Sequence, residues 1–330
     1  MADDNILVGI RELSKLFPVG AGIFSQSDIF VHAVSKINLN IMRGESVGLV
    51  GESGCGKTTT GKLLTRLVDP TEGMIEFHTE EGVVDIATLR GKDLKRFRRR
   101  VQMIFQDPYE SMNPRLSIYD TVAEPLEVQG IGTVVEREER VAKLLETVDL
   151  TPASSFMFRY PHELSGGQRQ RVAIARALIV EPDFVVADEP TSMLDVSVRT
   201  GVMHLMQDLA EFLEVTYLYI THDLAVARYM CDKIAVMYLG KIVEFSGTEE
   251  VLHNALHPYT KALLSAVPIP DPTISRAAVE IKGGVSKPIN PIPRCRFHER
   301  CPIAQKICEE NDHPPLEDKG TEHYIACYLV

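Results

Sequence analysis

Few patterns restrict a fold as tightly as Gly51-Glu52-Ser53-Gly54-Cys55-Gly56-Lys57-Thr58-Thr59, set between a short apolar run (residues 46–50) and a stretch of helical character (residues 57–68). Gly51, Gly54 and Gly56 let the backbone curl until successive N–H groups point at one centre. The helix that follows adds its positive N-terminal end. Such a turn needs a buried strand before it and a helix after it, which places the chain among α/β folds. The centre suits the phosphates of a nucleotide. Lys57 is placed to reach the β- and γ-phosphates, Thr58 to hold Mg2+, and Thr59 lies in the first helical turn. Cys55 occupies a variable position of the loop and reads as a small filler. A thiol beside bound phosphate would make nucleotide binding sensitive to alkylation.

Strand and helix signals alternate along the rest of the chain. Ile37, Leu39 and Ile41 alternate with polar neighbours, as on a half-buried strand. Residues 101–105, 184–187, 215–220, 234–238 and 242–245 read as further strands. Residues 117–176 are helix-rich, with 136–148 strongly periodic, and 196–213 read as one helix. This predicts a mostly parallel sheet covered on both faces. From Pro268 to Pro293 the chain is rich in Pro and Gly without a clear period, which predicts a linker or extended arm.

Composition narrows the partners. The 330 residues carry a formal charge of -11 and 45% apolar side chains. An acidic balance argues against nucleic acid, whose phosphates are bound by clustered Lys and Arg. The one basic run, Lys95-Arg96-Phe97-Arg98-Arg99-Arg100, reads as a solvated face. No stretch approaches 18 uncharged apolar residues, and Met1-Ala2-Asp3-Asp4 lacks a secretory pattern, so a cytosolic location is expected.

Two further motifs carry chemistry. The run 184–187 ends in Asp188 and Glu189. Asp188 is the candidate Mg2+ ligand. Glu189 is the candidate general base for a water attacking the γ-phosphate. Leu164-Ser165-Gly166-Gly167-Gln168 opens a long helix and offers free N–H groups at its start. That is an anion site with no phosphate of its own in the chain, which suggests completion by a second chain.

With these motifs in this order, the chain resembles the ATP-binding cassette (ABC) family. The resemblance implies a RecA-like P-loop core, an antiparallel β subdomain and a helical signature subdomain (about residues 110–180). It implies that LSGGQ of one subunit closes over ATP held by the loop of another. It assigns Gln106 as the Q-loop residue that senses Mg2+ and water, Asp195 to the D-loop at the dimer seam, and His222 as the switch histidine. In this family adenine stacks on an aromatic ring upstream of the loop. Phe17 is the first choice and Phe30 the second, with residues 18–28 resembling an insertion.

The resemblance extends further. His257-Pro258-Tyr259-Thr260, the segment Pro268-Ile269-Pro270-Asp271-Pro272 and the cysteine tail are similar to the dipeptide and oligopeptide importer branch, and Phe105-Gln106-Asp107-Pro108-Tyr109, Ser111-Met112-Asn113-Pro114-Arg115 and Ser192 resemble its F-type ATPase subunit. This implies a nucleotide-binding domain over residues 1–267 and a small Cys-rich extension over 268–330. It also implies a peripheral place on the cytoplasmic face of the membrane, a second ATPase subunit (different or identical) and two membrane-spanning permeases. An extracytoplasmic binding protein would deliver di- or oligopeptides. Relatives that move nickel, antimicrobial peptides or short oligosaccharides leave the cargo open. A soluble ABC protein acting on DNA or ribosomes is disfavoured by the acidic charge, the single cassette and the lack of a coiled coil between Thr58 and Leu164.

Four of the six cysteines, Cys295, Cys301, Cys308 and Cys327, crowd into the tail. Their number suits a [4Fe–4S] cluster or a tetrahedral Zn2+, but their spacing matches neither the close zinc pattern nor the ferredoxin run. The branch resemblance favours iron–sulfur. His298, His313 and His323 are expected on the surface.

Overall fold

In the computed structural model of the protein, residues 5–20, 28–266, 281, 283–284 and 287–330 are described. The chain opens with two long antiparallel strands, β1 (Ile6–Pro18) and β2 (Phe30–Met42). The strand β3 (Ser46–Val50) leads through the glycine loop into helix α1 (Lys57–Leu64). The pair β4 (Glu72–Thr79) and β5 (Gly82–Asp85) precedes α2 (Gly91–Arg100) and β6 (Val101–Ile104). Helices α3 (Ile118–Gln129), α4 (Val134–Thr147) and α5 (Gly166–Leu178) follow. The core then alternates β7 (Phe184–Asp188), α6 (Val196–Leu213), β8 (Thr216–Thr221), α7 (Leu224–Met230) and β9 (Lys233–Tyr238). After β10 (Lys241–Gly247) come α8 (Thr248–His253) and α9 (Pro258–Ala266). The tail adds α10 (Lys306–Glu310), β11 (Glu317–Asp318) and β12 (Tyr324–Ile325).

The strands form two sheets. The smaller has the order β2-β1-β4-β5, and the larger β11-β12-β10-β9-β3-β8-β7-β6. Only β9-β3-β8-β7-β6 are parallel; β10, β12 and β11 extend the sheet antiparallel. The sheet of parallel strands expected from the sequence therefore has an antiparallel edge made partly by the tail. The tail is not a separate body, since β12 pairs with β10 through Glu244↔Ile325 and Phe245↔Tyr324.

Strand side chains alternate between two cores, as a two-residue period requires. Leu218 and Ile220 of β8, Val186 of β7 and Met237 of β9 face the small antiparallel sheet and α1. Tyr217 and Tyr219, Val185 and Ala187, and Ile234 and Val236 face the opposite core, where α3 to α7 pack. Both faces of the large sheet are thus covered, which explains why its strands read as continuous apolar runs.

The helical layer is held by reciprocal caps. Ser117 with Asp120, Thr133 with Glu136 and Ser165 with Gln168 each close a capping box at the start of α3, α4 and α5. Helix α1 stops earlier than the sequence predicts. Arg66 adopts a left-handed backbone (φ 52°), and its buried guanidinium donates to Ile86 O at 2.7 Å and pairs with Asp69. The basic run lies on α2, where Arg98 donates to Arg66 O and Arg100 to Asp183, while Phe97 is buried.

Candidate functional site

Four neighbouring parallel strands, β3, β8, β7 and β6, deliver the functional segments at their carboxyl ends. Val50 lies opposite Thr221, Asp188 opposite Ile220, and Ile104 opposite Ala187. The glycine loop, His222, the Asp188–Glu189 pair and Gln106 therefore open onto one edge. That edge is where open α/β sheets bind ligands.

The glycine loop is tightly wrapped. Gly56 has φ +113°, and a Cβ there would lie 2.1 Å from Ala33 O. Only glycine meets both conditions. Lys57 is buried, and its ammonium donates to Gly51 O (2.7 Å) and Glu52 O (3.0 Å), partners that a buried charge needs. Ser53, Gly54 and Thr58 are exposed, with Thr59 half-buried. Cys55 is 2% exposed within the apolar core, and burial pushes its thiol pKa up against the pull of Lys57. A buried, protonated thiol is a poor nucleophile, which fits the small-filler reading of Cys55 and works against the alternative of alkylation sensitivity. Glu52, expected among the phosphate-binding loop residues, is held by groups from far along the chain. Its N–H donates to Tyr259 Oη at 2.9 Å, and its carboxylate accepts both arms of the Arg300 guanidinium.

Glu189 is held by four residues, two at its side chain and two at its backbone. Gln106 Nε2 donates to its Oε2 at 3.0 Å, and His222 Nδ1 lies 2.9 Å from its Oε1. The backbone of Glu189 is left-handed (φ 45°), an unfavourable state for a non-glycine residue. Its N–H donates to Ile220 O (2.8 Å), and its carbonyl accepts from Ser192 Oγ (3.0 Å), which together hold that conformation. Asp188 accepts from Thr58 Oγ1 at 3.2 Å. Burial raises the Asp188 pKa despite the Thr58 hydrogen bond, and the nearby Glu189 charge adds to the rise. Two oxygens of the kind that bind Mg2+ thus converge, one of them a carboxylate favoured in its ionised form by a cation.

The signature segment packs against the D-loop. A Cβ on Gly166 would touch Leu194, and one on Gly167 would press into Val198 at 2.4 Å. Leu164 is buried, whereas Ser165 and Asp195 are exposed. Ser165 Oγ and Gln168 Oε1 cap their own helix. Phe17 is 38% exposed, with Lys15 Nζ 5.1 Å from its ring centre. Phe30 pairs across the hairpin with Pro18. The segment expected as an insertion falls largely on residues 21–27, outside the described residues, as does most of the expected linker.

The expected metal centre is not formed. Among the described residues, no group of three or more His, Cys, Asp or Glu is arranged to hold a metal ion. The four tail thiols nevertheless share one neighbourhood. Burial first, and then the nearby Cys308, Cys327 and Cys301, push the Cys295 thiol up to about 11 against a backbone hydrogen bond at Phe297 that lowers it. Cys301 and Cys327 are also raised, chiefly by burial. His323 is buried rather than on the surface, held by Glu244 at 2.8 Å and Glu250 at 3.4 Å. His313 accepts from Arg296 N–H, and His298 is half-buried.

The sequence reading missed Tyr259 and Arg300 as neighbours of the loop. Their partner Glu52 lies 207 and 248 residues away. No local pattern signals such a contact.

Comparison with known proteins follows this geometry. The family described as ABC transporter matches residues 34–192, and the oligopeptide/dipeptide transporter C-terminal region matches residues 243–308. The chain is 44% identical over 331 residues to the oligopeptide transport ATP-binding protein AppF of Bacillus subtilis, spanning 99% of this chain and 98% of that one. It is 46% identical over 321 residues to a putative peptide import ATP-binding protein of Brucella ovis, spanning 97% of each. A solved dimeric post-hydrolysis state of the ATP-binding cassette MJ0796, bound to ADP and Pi, superposes with a TM-score of 0.63 at 31% identity. That match covers 73% of this chain and 99% of that chain.

Proposed function

Because the chain belongs to the ABC transporter family of ATP-hydrolysing subunits, we propose that it energises import of di- or oligopeptides. Its place is peripheral, on the cytoplasmic face of the membrane, and no described helix is long and apolar enough to cross a membrane. Its partners are a second ATPase subunit, two permease subunits and, indirectly, an extracytoplasmic binding protein. The peptide assignment rests on the C-terminal match and the full-length relatives. Nickel or short oligosaccharides are the alternative cargoes. Residues 1–267 form the nucleotide-binding domain, with a helical part over about 110–180, and residues 268–330 form the extension.

The single observation that carries the ATPase reading is the Glu189 carboxylate fixed between Gln106 and His222, beside the Thr58–Asp188 pair. The loop N–H groups and Lys57 bind the phosphates, and Phe17 stacks on adenine. Thr58, Asp188 and Gln106 are the oxygen donors for Mg2+, which would neutralise charge on the β- and γ-phosphates. Water attacks the γ-phosphorus as the bond to the β–γ bridging oxygen breaks. Glu189 takes the water proton. His222 donates a hydrogen bond to the γ-phosphate as its charge shifts. The Leu164–Gln168 segment, with Asp195, completes the site of the partner subunit.

Glu189→Gln keeps the size and one acceptor of the side chain but removes the base. ATP hydrolysis should fall about 10²–10⁴-fold, with nucleotide binding retained. Near wild-type hydrolysis in this variant would reject the assignment.

The finer reading of the tail is a [4Fe–4S] cluster, or otherwise Zn2+, on Cys295, Cys301, Cys308 and Cys327. Its support is the shared neighbourhood of the four thiols, although no ligand group is formed. Iron, zinc and acid-labile sulfide per chain after anaerobic purification decide the matter. About four irons with four sulfides support the cluster. Zinc without sulfide supports a structural clip, and the absence of both removes either reading.

A further inference from the structure

The C-terminal segment grips the nucleotide site at two places. At the first, residues 288–290 extend the β2 edge. His32 N–H donates to Pro288 O (2.8 Å), Asn290 N–H to Phe30 O (2.9 Å), and Phe30 N–H to Asn290 Oδ1 (2.8 Å). This is the end of the hairpin that carries Phe17. At the second, Arg300 donates from both terminal nitrogens to the Glu52 carboxylate, at 2.6 and 2.9 Å. Arg300 is buried and also lies 3.4 Å from Tyr238 Oη. Glu52 is the second residue of the phosphate loop. Its N–H is held by Tyr259 from α9, and its carbonyl accepts from Lys57.

A forked Arg–carboxylate pair fixes orientation as well as distance. Glu52 is thereby immobilised at its side chain, its N–H and its carbonyl. The loop N–H groups that follow it can bind phosphate only if they are already aimed, so fixing their entry point lowers the ordering cost of binding. We propose that Arg300, acting through Glu52 together with Tyr259, is a positioning residue for the phosphate loop. The C-terminal segment is thereby part of the nucleotide site and sets its affinity for ATP. This inference rests on the ATPase reading.

The test uses the full chain with Arg300→Met, Glu52→Gln, their double variant and Tyr259→Phe. Affinity is read by calorimetry with Mg2+–ADP, and kcat and KM by steady-state ATP hydrolysis. Arg300→Met should raise Kd and KM about five- to tenfold, the range of one lost charge-assisted pair, with kcat within about twofold. Arg300→Lys should recover part of the loss. The double variant should be no weaker than the worse single variant, because both remove one interaction. Unchanged Kd and KM in Arg300→Met overturn the proposal, as does additive loss in the double variant or a fall in kcat alone. Should Arg300→Met not fold, Glu52→Gln and Tyr259→Phe decide, since each removes one contact and keeps the side-chain volume. Unaltered affinity in both overturns the proposal. If the wild-type chain binds no Mg2+–ADP, the ATPase reading itself fails, an outcome distinct from any of these.

Discussion

Asp188 shows how the site trades stability for function. Burial outweighs the Thr58 hydrogen bond and raises its pKa, with Glu189 adding repulsion. A carboxyl whose folded pKa lies above its unfolded value favours the fold while protonated. That contribution is present at low pH and is lost as pH rises through the folded pKa. At neutral pH the ionised Asp188 therefore costs stability in the nucleotide-free protein. Asp188→Asn keeps an acceptor for Thr58 Oγ1 and removes the charge. Its melting temperature at pH 7 should exceed wild type by roughly 1–3 °C, and the gap should shrink in acid as wild-type Asp188 takes up its proton. Mg2+-dependent nucleotide binding should fall in the same variant. A melting temperature at or below wild type at pH 7 would remove the cost assigned to Asp188. The same scale explains Cys55, where the loop motif was legible but the thiol's inertness was not. Burial follows from Gly51, Met237 and the hairpin closing around it, which the residue's own neighbours in sequence do not encode.

At the scale of elements, the legible parts are those with a local cause. Helix α6 and strand β3 match the residues read from sequence, because each is a long or strongly apolar run with clear ends. The long strand β1 went unread. Its register shifts, including one between Ile10 and Leu13, interrupt the two-residue alternation that would announce a strand. The signature helix α5 adds a packing demand that the motif alone does not reveal. A Cβ at Gly167 would press 2.4 Å from Val198 Cγ1 on α6. Val198 is β-branched and turns away with difficulty. Gly167→Ala should therefore cost about 1–3 kcal/mol, as overpacking does, measured by urea denaturation. Gly167→Ala combined with Val198→Ala should recover most of that loss. Equal destabilisation in the single and double variants would place the cause elsewhere than in the α5–α6 contact.

The molecule as a whole is built from contacts that span its length. Arg300 on Glu52, Asn290 on Phe30 and β12 on β10 tie the tail to the glycine loop, to β2 and to the edge of the large sheet. Such pairings carry no sequence period, so the contacts by which the tail extends the sheet edge and supports the loop were not legible in the sequence. Apolar side chains are also exposed beside the D-loop. Met193 and Val196 are 63% and 78% exposed on either side of the exposed Asp195. Ser165 is exposed at the start of α5, and Ser53 and Gly54 on the glycine loop. Isolated exposed apolar residues are ordinary, but two beside a helix start lacking its own phosphate mark a surface suited to a second copy. ATP bound at each glycine loop would supply the missing anion, so closure should depend on the triphosphate and last as long as it is not cleaved. Glu189→Gln with Mg2+–ATP should therefore sediment at twice the mass of the chain, whereas Mg2+–ADP should leave it a monomer. Adding Val196→Asp should reduce the dimer fraction without changing ADP affinity, because a charge on that exposed side chain beside Asp195 would oppose closure of two copies. A monomer with ATP in Glu189→Gln would show that two copies of this chain do not close on each other, and that the anion site of α5 is completed by a different cassette.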